Sequence, residues 1–263
     1  MGIVNVTPDS FSDGGRHGSV AAAVDHGLQL VTEGADILDV GGESTRPFAA
    51  AVGRDEELRR VSDVVERLAA ESGVPVSIDT SKAAVAARAI ALGAEIINDV
   101  TGLEGDPDML RVACESAAGV CAMHMRGTPQ TMQIDPHYGD VVAEIRAYLA
   151  ARRDALVAAG IPIENICLDP GIGFGKTHAH NRELMAHANR FLDLGAPILV
   201  GHSRKGFIGK ALEQSLGRPA SREELDAGTA AAACALAAQG IQIIRVHAVG
   251  VVQAALESAT SGR

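Results

Sequence analysis

Short runs that are apolar at nearly every position alternate along the chain with longer stretches whose apolar residues recur every three or four positions. The short runs lie at 3–6, 37–40, 74–78, 95–99, 119–124, 166–168, 198–200 and 243–246. Stretches of helical period lie at 20–33, 55–71, 83–92, 108–117, 141–159, 182–194, 223–239 and 251–258, so a helix follows each strand. A strand apolar on both faces and returned by a helix is the repeating unit of a covered parallel sheet. Eight such units predict a (β/α)8 barrel. The competing open, doubly wound sheet would begin its first helix with a GxGxxG turn, which is absent there. No composition shift marks a second domain, and residues 1–263 are expected to form one barrel domain. The long connections at 41–54 and 126–140 both follow strands, the side on which barrels build their sites.

A hydrophobic share of 47% supports a large buried core, and a net charge of −10 argues against a broad nucleic-acid or membrane surface, since both polyanions would be repelled. An anionic ligand would need locally placed cations. The four cysteines, Cys114, Cys121, Cys167 and Cys234, form no CxxC pair, so neither a disulfide framework nor a zinc site is expected. With no basic-then-apolar leader pattern and no apolar run of membrane-spanning length, a cytoplasmic address is expected.

The chemistry lies in what ends each apolar run: Asn5, Asp39, Asp79, Asn98, His124, Asp169, Ser203-Arg204-Lys205 and Arg245-Val246-His247. One such residue would read as an ordinary turn former. Eight at one barrel mouth call for a polar ligand, because buried polar groups are costly without partners. A carboxylate offers two acceptors side by side and a carboxamide one acceptor with two donors. Asp79, Asn98 and Asp169 could therefore grip a guanidine-like N–H pattern such as a 2-amino-4-oxo-pyrimidine, with Lys205 on its carbonyl. Arg46, Arg245 and His247 supply donors suited to phosphate oxygens.

Seven segments, in order from end to end, resemble the bacterial dihydropteroate synthase family. They are Gly2-Ile3-Val4-Asn5-Val6-Thr7-Pro8-Asp9-Ser10-Phe11-Ser12-Asp13-Gly14-Gly15, Asp39-Val40-Gly41-Gly42-Glu43-Ser44-Thr45-Arg46-Pro47, Ile78-Asp79-Thr80-Ser81-Lys82, Ile97-Asn98-Asp99, Asp169-Pro170-Gly171-Ile172-Gly173-Phe174-Gly175-Lys176, Ser203-Arg204-Lys205 and Arg245-Val246-His247. The resemblance implies a barrel that joins 6-hydroxymethyl-7,8-dihydropterin diphosphate to 4-aminobenzoate in folate biosynthesis, releasing diphosphate. It implies that Asp79, Asn98, Met123, Asp169 and Lys205 bind the pterin, and that Thr45, Arg46, Arg245 and His247 hold the diphosphate. Phe11, Thr45, Pro47, Lys205 and Gly206 would surround the aminobenzoate, whose carboxylate would meet a helix starting near Lys205-Gly206. Asn5 would ligate Mg²⁺, with Asp79, Lys205, Arg245 and His247 as the catalytic set. It further implies a homodimer and a sulfonamide target.

Three local features have blander readings. The glycine-rich run after Asp169 carries Pro170 where a phosphate-binding Walker A loop needs glycine. His178-Ala179-His180 reads as a solvated helix start, since residues two apart diverge on a helix. The small residues of 230–238 suit close helix packing, with a dimer face as their functional extension. Phe48 stands where the family usually has Gly and is expected to narrow the aminobenzoate pocket. Gly206 replaces a common Ser, and members usually carry extra residues ahead of the opening segment, so the barrel floor is expected to lack that support. Two rival readings are a pterin-dependent methyltransferase, which would not need the Ser203-Arg204-Lys205 and Arg245-Val246-His247 pair, and a non-catalytic pterin-binding paralogue.

Overall fold

The computed structural model describes residues 1–6, 15–45 and 49–261, without the side chains of 15–19. The strands are β1 (Gly2–Asn5), β2 (Leu38–Gly41), β3 (Val76–Asp79), β4 (Ile96–Asp99), β5 (Gly119–Met123), β6 (Ile166–Asp169), β7 (Leu199–Val200) and β8 (Ile243–Ile244). β1 to β6 pair in sequence order and in parallel, and β7 pairs with β8. Two single bridges complete the circuit, Leu168 with Ile198 and Gly2 with Val246. The second is flanked by Ile3 N–H on the Val246 carbonyl and Val246 N–H on the Met1 carbonyl, both at 3.0 Å. Among the described residues every strand thus has two neighbours and no sheet edge is left open. The expected barrel is present.

Around it lie α1 (Gly15–Thr32), α2 (Arg54–Glu71), α3 (Ala83–Ala91), α4 (Met109–Ser116), α5 (Val141–Ala158), α6 (His178–Ala186), α7 (Gly206–Leu216), α8 (Arg222–Ala238) and α9 (Val249–Thr260). α2 shows why these segments are helical. Val61, Val64, Val65 and Leu68 fall on one buried stripe, each contributing about 1.5–3 kcal/mol by leaving water. Asp55, Glu56 and Glu57 occupy its first turn, where the helix dipole favours negative charge. α8 begins with a reciprocal cap between Ser221 and Glu224.

The structure moves several expected boundaries, α1 starting at Gly15 rather than at 20, and revises the helix pattern in two places. The β7–β8 crossover holds two helices, α7 and α8: the apolar period marks a helical stretch only at 223–239, and the helix expected to start near Lys205-Gly206 is a separate element, α7. Gly206 and Gly209 dilute the apolar repeat of α7 and conceal its length. The expected helix at 182–194 is α6, starting earlier at His178, followed by a 3-10 segment at Ala188–Leu194. His178-Ala179-His180 is indeed a helix start: Thr177 Oγ1 accepts the His180 N–H at 3.1 Å, and His180 Nδ1 accepts the Thr177 N–H at 3.3 Å. Ala230, Ala233 and Leu236 are buried on α8, as close packing requires. Among the described residues no helix is long and apolar enough to cross a membrane.

Candidate active site

Strand register sets the layers of the barrel mouth. Asn5 pairs with Gly41, Gly41 with Asp79 and Asp79 with Asn98, so three polar side chains share one level at the C-terminal ends of β1, β3 and β4. Met123 pairs with Asp169 at the ends of β5 and β6. Residues two apart on a strand share a face, which puts Asp39 on the same face of β2 as Gly41, one level down.

Arg245, just beyond β8, organises the centre. Its Nε donates to Asp39 Oδ2 at 2.5 Å and its Nη2 to Asp79 Oδ2 at 2.7 Å. Asn98 Nδ2 donates to the same Asp39 oxygen at 3.1 Å. Asp39 is fully buried, and a desolvated carboxylate needs such a partner. Burial pushes the Asp79 carboxyl well above the ordinary range, with Arg245 opposing and Asp39 adding to the rise. The sequence reading placed Asp39 at a strand end without assigning it a role. Its signal was an Asp at the end of an apolar run, and its task is to hold Arg245 and Asn98.

Asp169 accepts the Gly171 N–H at 2.7 Å. Burial raises its pKa, against that hydrogen bond and the charges of Lys205, Lys176 and Arg245. The Lys205 ammonium donates to the Ile172 carbonyl and lies 4.2 Å from the Phe174 ring centroid. Burial lowers its pKa to about 8, with Asp169 opposing. Lys205 is also the residue before α7, so its neighbour Gly206 opens a helix whose first amides have no intrahelical acceptor. His247 Nδ1 lies 3.0 Å from Ser203 Oγ.

The glycine-rich run at 171–176 is explained by close backbone approach. Gly171 has φ +68°, and a Cβ there would sit 1.9 Å from the His124 carbonyl oxygen. Lys176, absent from the sequence-derived site, is 2% exposed. Its Nζ lies 3.0 Å from His124 Nδ1 and 2.8 Å from the Phe174 carbonyl. Burial, then the charge of Lys176, lowers His124 to about 3, so the ring is neutral, and burial likewise pulls Lys176 well below its ordinary value. No local pattern marked Lys176, since a lysine after glycines reads as a solvated one.

Arg204, one of the polar residues expected at the strand ends, is engaged by a helix instead. Its Nε and Nη2 clasp Asp226 on α8 at 2.6 and 2.9 Å, and it holds φ +57°, an uncommon conformation for a side chain of this size. Thr45 is described and partly buried, while Phe11, Arg46, Pro47 and Phe48 lie outside the described residues. Among the described residues no three His, Cys, Asp or Glu side chains converge on a metal-sized site, and all four cysteines are free.

The family profile described as pterin binding enzyme matches residues 1–247. The dihydropteroate synthase of Escherichia coli (strain K12) is 48% identical over 247 residues, covering 94% of this chain and 85% of that protein. The chain belongs to the pterin-binding enzyme family, in its dihydropteroate synthase branch. Its fold matches the solved structure of Xanthomonas albilineans dihydropteroate synthase with 4-aminobenzoic acid at TM-score 0.91 and 48% identity, covering 100% of this chain and 92% of that one. The same organism's enzyme in complex with 7,8-dihydropteroate matches at TM-score 0.88 and 45% identity, covering 100% and 92%. For a pterin-binding enzyme, carboxylates and an amide beside cations at one mouth are the groups that an N–H-rich ring carrying a diphosphate requires.

Proposed function

We propose that this barrel transfers the pterinylmethyl group of 6-hydroxymethyl-7,8-dihydropterin diphosphate to the amine of 4-aminobenzoate, giving 7,8-dihydropteroate and diphosphate. The observation that carries the reading is the Asp39–Arg245–Asp79 bridge with Asn98, Asp169 and Lys205 around it. Asp169 and Asn98 take the ring's amino and ring N–H groups, Met123 packs on its face, and Lys205 donates to its carbonyl. Arg245 and His247, with Thr45 and Arg46, hold the diphosphate.

The substitution is SN1-like. The bond from the methylene carbon to the bridging oxygen breaks, and its electron pair leaves on the diphosphate, where Arg245 and His247 offset the growing charge. The electron-rich dihydropterin carries the resulting cation, and Asp79 stabilises it in its carboxylate form, which the Arg245 guanidinium at 2.7 Å favours against burial. The neutral arylamine attacks, and the proton it then sheds passes to diphosphate or water. No covalent bond to the enzyme forms. The aminobenzoate carboxylate meets the amides that open α7 at Gly206, with Phe11 and Pro47 flanking the ring and Thr45 and Lys205 lining its pocket.

The donor set fits Mg²⁺. Asn5 presents a hard amide oxygen in the layer of Asp79 and Asn98, and Mg²⁺ is held by few protein oxygens with water and phosphate completing its shell. When bound, the ion would neutralise leaving-group charge. The reading includes one domain spanning the chain, a cytoplasmic enzyme, and a homodimer in which exposed Ala231, Ala235 and Ala238 line one face of α8. Sulfonamides, as aminobenzoate analogues, would compete for the second site. Chromatography of a reaction holding both substrates tests the proposal: dihydropteroate is expected, and its absence with folded protein overturns the reading.

A further inference from the structure

A charge triangle beside the strand-end cluster ties the loop after β2 to two other elements. The Lys82 ammonium, immediately before α3, lies 2.5 Å from Glu43 Oε2 and 2.6 Å from Glu57 Oε2. The Glu57 side chain on α2 is 0% exposed, whereas those of Lys82 and Glu43 keep 23% and 21%. Burial alone would lower the Lys82 pKa, but the two carboxylates outweigh it and hold the ammonium above its ordinary value.

A desolvated carboxylate needs a cation, and Lys82 provides one to Glu57. Core neutralisation therefore accounts for Lys82 and Glu57 and leaves Glu43 unexplained. The second oxygen of Glu43 accepts the Val52 N–H at 2.8 Å. One side chain thus joins the entrance of the loop, at residue 43, to its exit at residue 52 and fastens both to Lys82. Arg60 of α2 adds a bond from Nη1 to the Gly42 carbonyl at 2.9 Å. Lys82 stands three residues after Asp79 and Glu43 two before Thr45, so the brace fixes the Thr45 loop relative to the strand that carries Asp79. Of the groups assigned to the pterin, Asp79 shares the braced strand, while Asn98, Met123, Asp169 and Lys205 make no hydrogen bond to the brace among the described residues.

We infer that Glu43 is a positioning residue which, through Lys82 and Val52, holds the Thr45 loop in register with Asp79 and so sets affinity for the second substrate, whose pocket Thr45 lines, but not for the pterin ring. The inference rests on the function proposed above.

Glu43→Gln and Glu43→Ala leave the Lys82–Glu57 pair in place, so the folded protein is expected to survive. Initial rates with 4-aminobenzoate varied, together with fluorescence titration of 6-hydroxymethylpterin, separate the two ligands. The KM for 4-aminobenzoate should rise about tenfold, the scale of one charge-assisted hydrogen bond, with pterin affinity unchanged. An unchanged KM in both variants overturns the inference. So does equal weakening of both ligands alongside a lowered thermal midpoint, which would identify a general structural brace. Amide exchange at Val52 in ligand-free protein is read separately and should quicken in Glu43→Ala. An unaltered rate there removes the tether, whereas a wild type that forms no dihydropteroate would remove the functional reading instead.

Discussion

Arg245 and Asp39, 206 positions apart in sequence, meet with Nε 2.5 Å from Oδ2 on the inner side of the closed barrel. The other Asp39 oxygen has no hydrogen-bond partner among the described residues, so this contact and the shared bond from Asn98 carry its stabilisation. Replacing Arg245 with Met should leave a buried carboxylate uncompensated, costing about 3–5 kcal/mol. Denaturant unfolding checks this, and the companion Asp39→Asn, Arg245→Met double variant should recover part of the loss. A single variant as stable as wild type would show that the pair does not hold the barrel mouth.

The pH profile should carry the mark of Lys205. Its folded value, about 8, lies below the ordinary 10.5 because of burial. The ammonium is charged below about pH 8 and neutral above, so kcat/KM for the pterin diphosphate should fall on the alkaline side with a limb near pH 8. Lys205→Arg should move that limb upward, because a guanidinium does not titrate there. Stability runs in the opposite sense. A depressed folded value contributes most above pH 10.5 and loses that contribution as pH falls towards 8. An alkaline limb indifferent to Lys205→Arg would assign it to another group.

Asp169→Asn keeps the shape but leaves one acceptor where there were two. Pterin affinity should fall about a hundredfold, the scale of an unpaired polar group in a built site, while the thermal midpoint stays near wild type. Titration calorimetry with 6-hydroxymethylpterin measures it, and undiminished binding would move the ring away from β6.

At Gly171 the backbone itself is at stake. Gly171→Ala places a methyl 1.9 Å from the His124 carbonyl oxygen at φ +68°, so the turn must shift. Since that turn supplies the Ile172 carbonyl to Lys205 and the N–H to Asp169, pterin binding should weaken by about tenfold or more, with stability lowered by about 2 kcal/mol or more. Wild-type pterin affinity in Gly171→Ala would show that the turn does not position these two groups.

Much of this arrangement was legible in the chain because each local signal agreed with the global fold. Apolar runs gave the strands, and Asn5, Asp79, Asn98 and Asp169 were visible as polar residues at their ends. What remained hidden depends on contacts across the sequence. Nothing near Asp39 announces Arg245, and nothing near Lys176 announces His124, whose neutral ring lies 3.0 Å from the buried Lys176 amine. Arg204 illustrates the opposite error: in sequence it shares a cationic motif with Lys205, yet Asp226, 22 positions on, draws its side chain away. The start of α7 near Lys205-Gly206 is expected, but its extent is obscured because its two glycines weaken the periodic signal although Phe207 and Ile208 are buried.

The most direct test of pterinylmethyl transfer is stoichiometry. Purified enzyme with the pterin diphosphate, 4-aminobenzoate and Mg²⁺ should release one diphosphate for each dihydropteroate formed, with no dihydropteroate when 4-aminobenzoate is withheld and little from the Asp169→Asn variant. Diphosphate release at full rate without 4-aminobenzoate, or binding of the pterin with no product when both substrates are present, would contradict it.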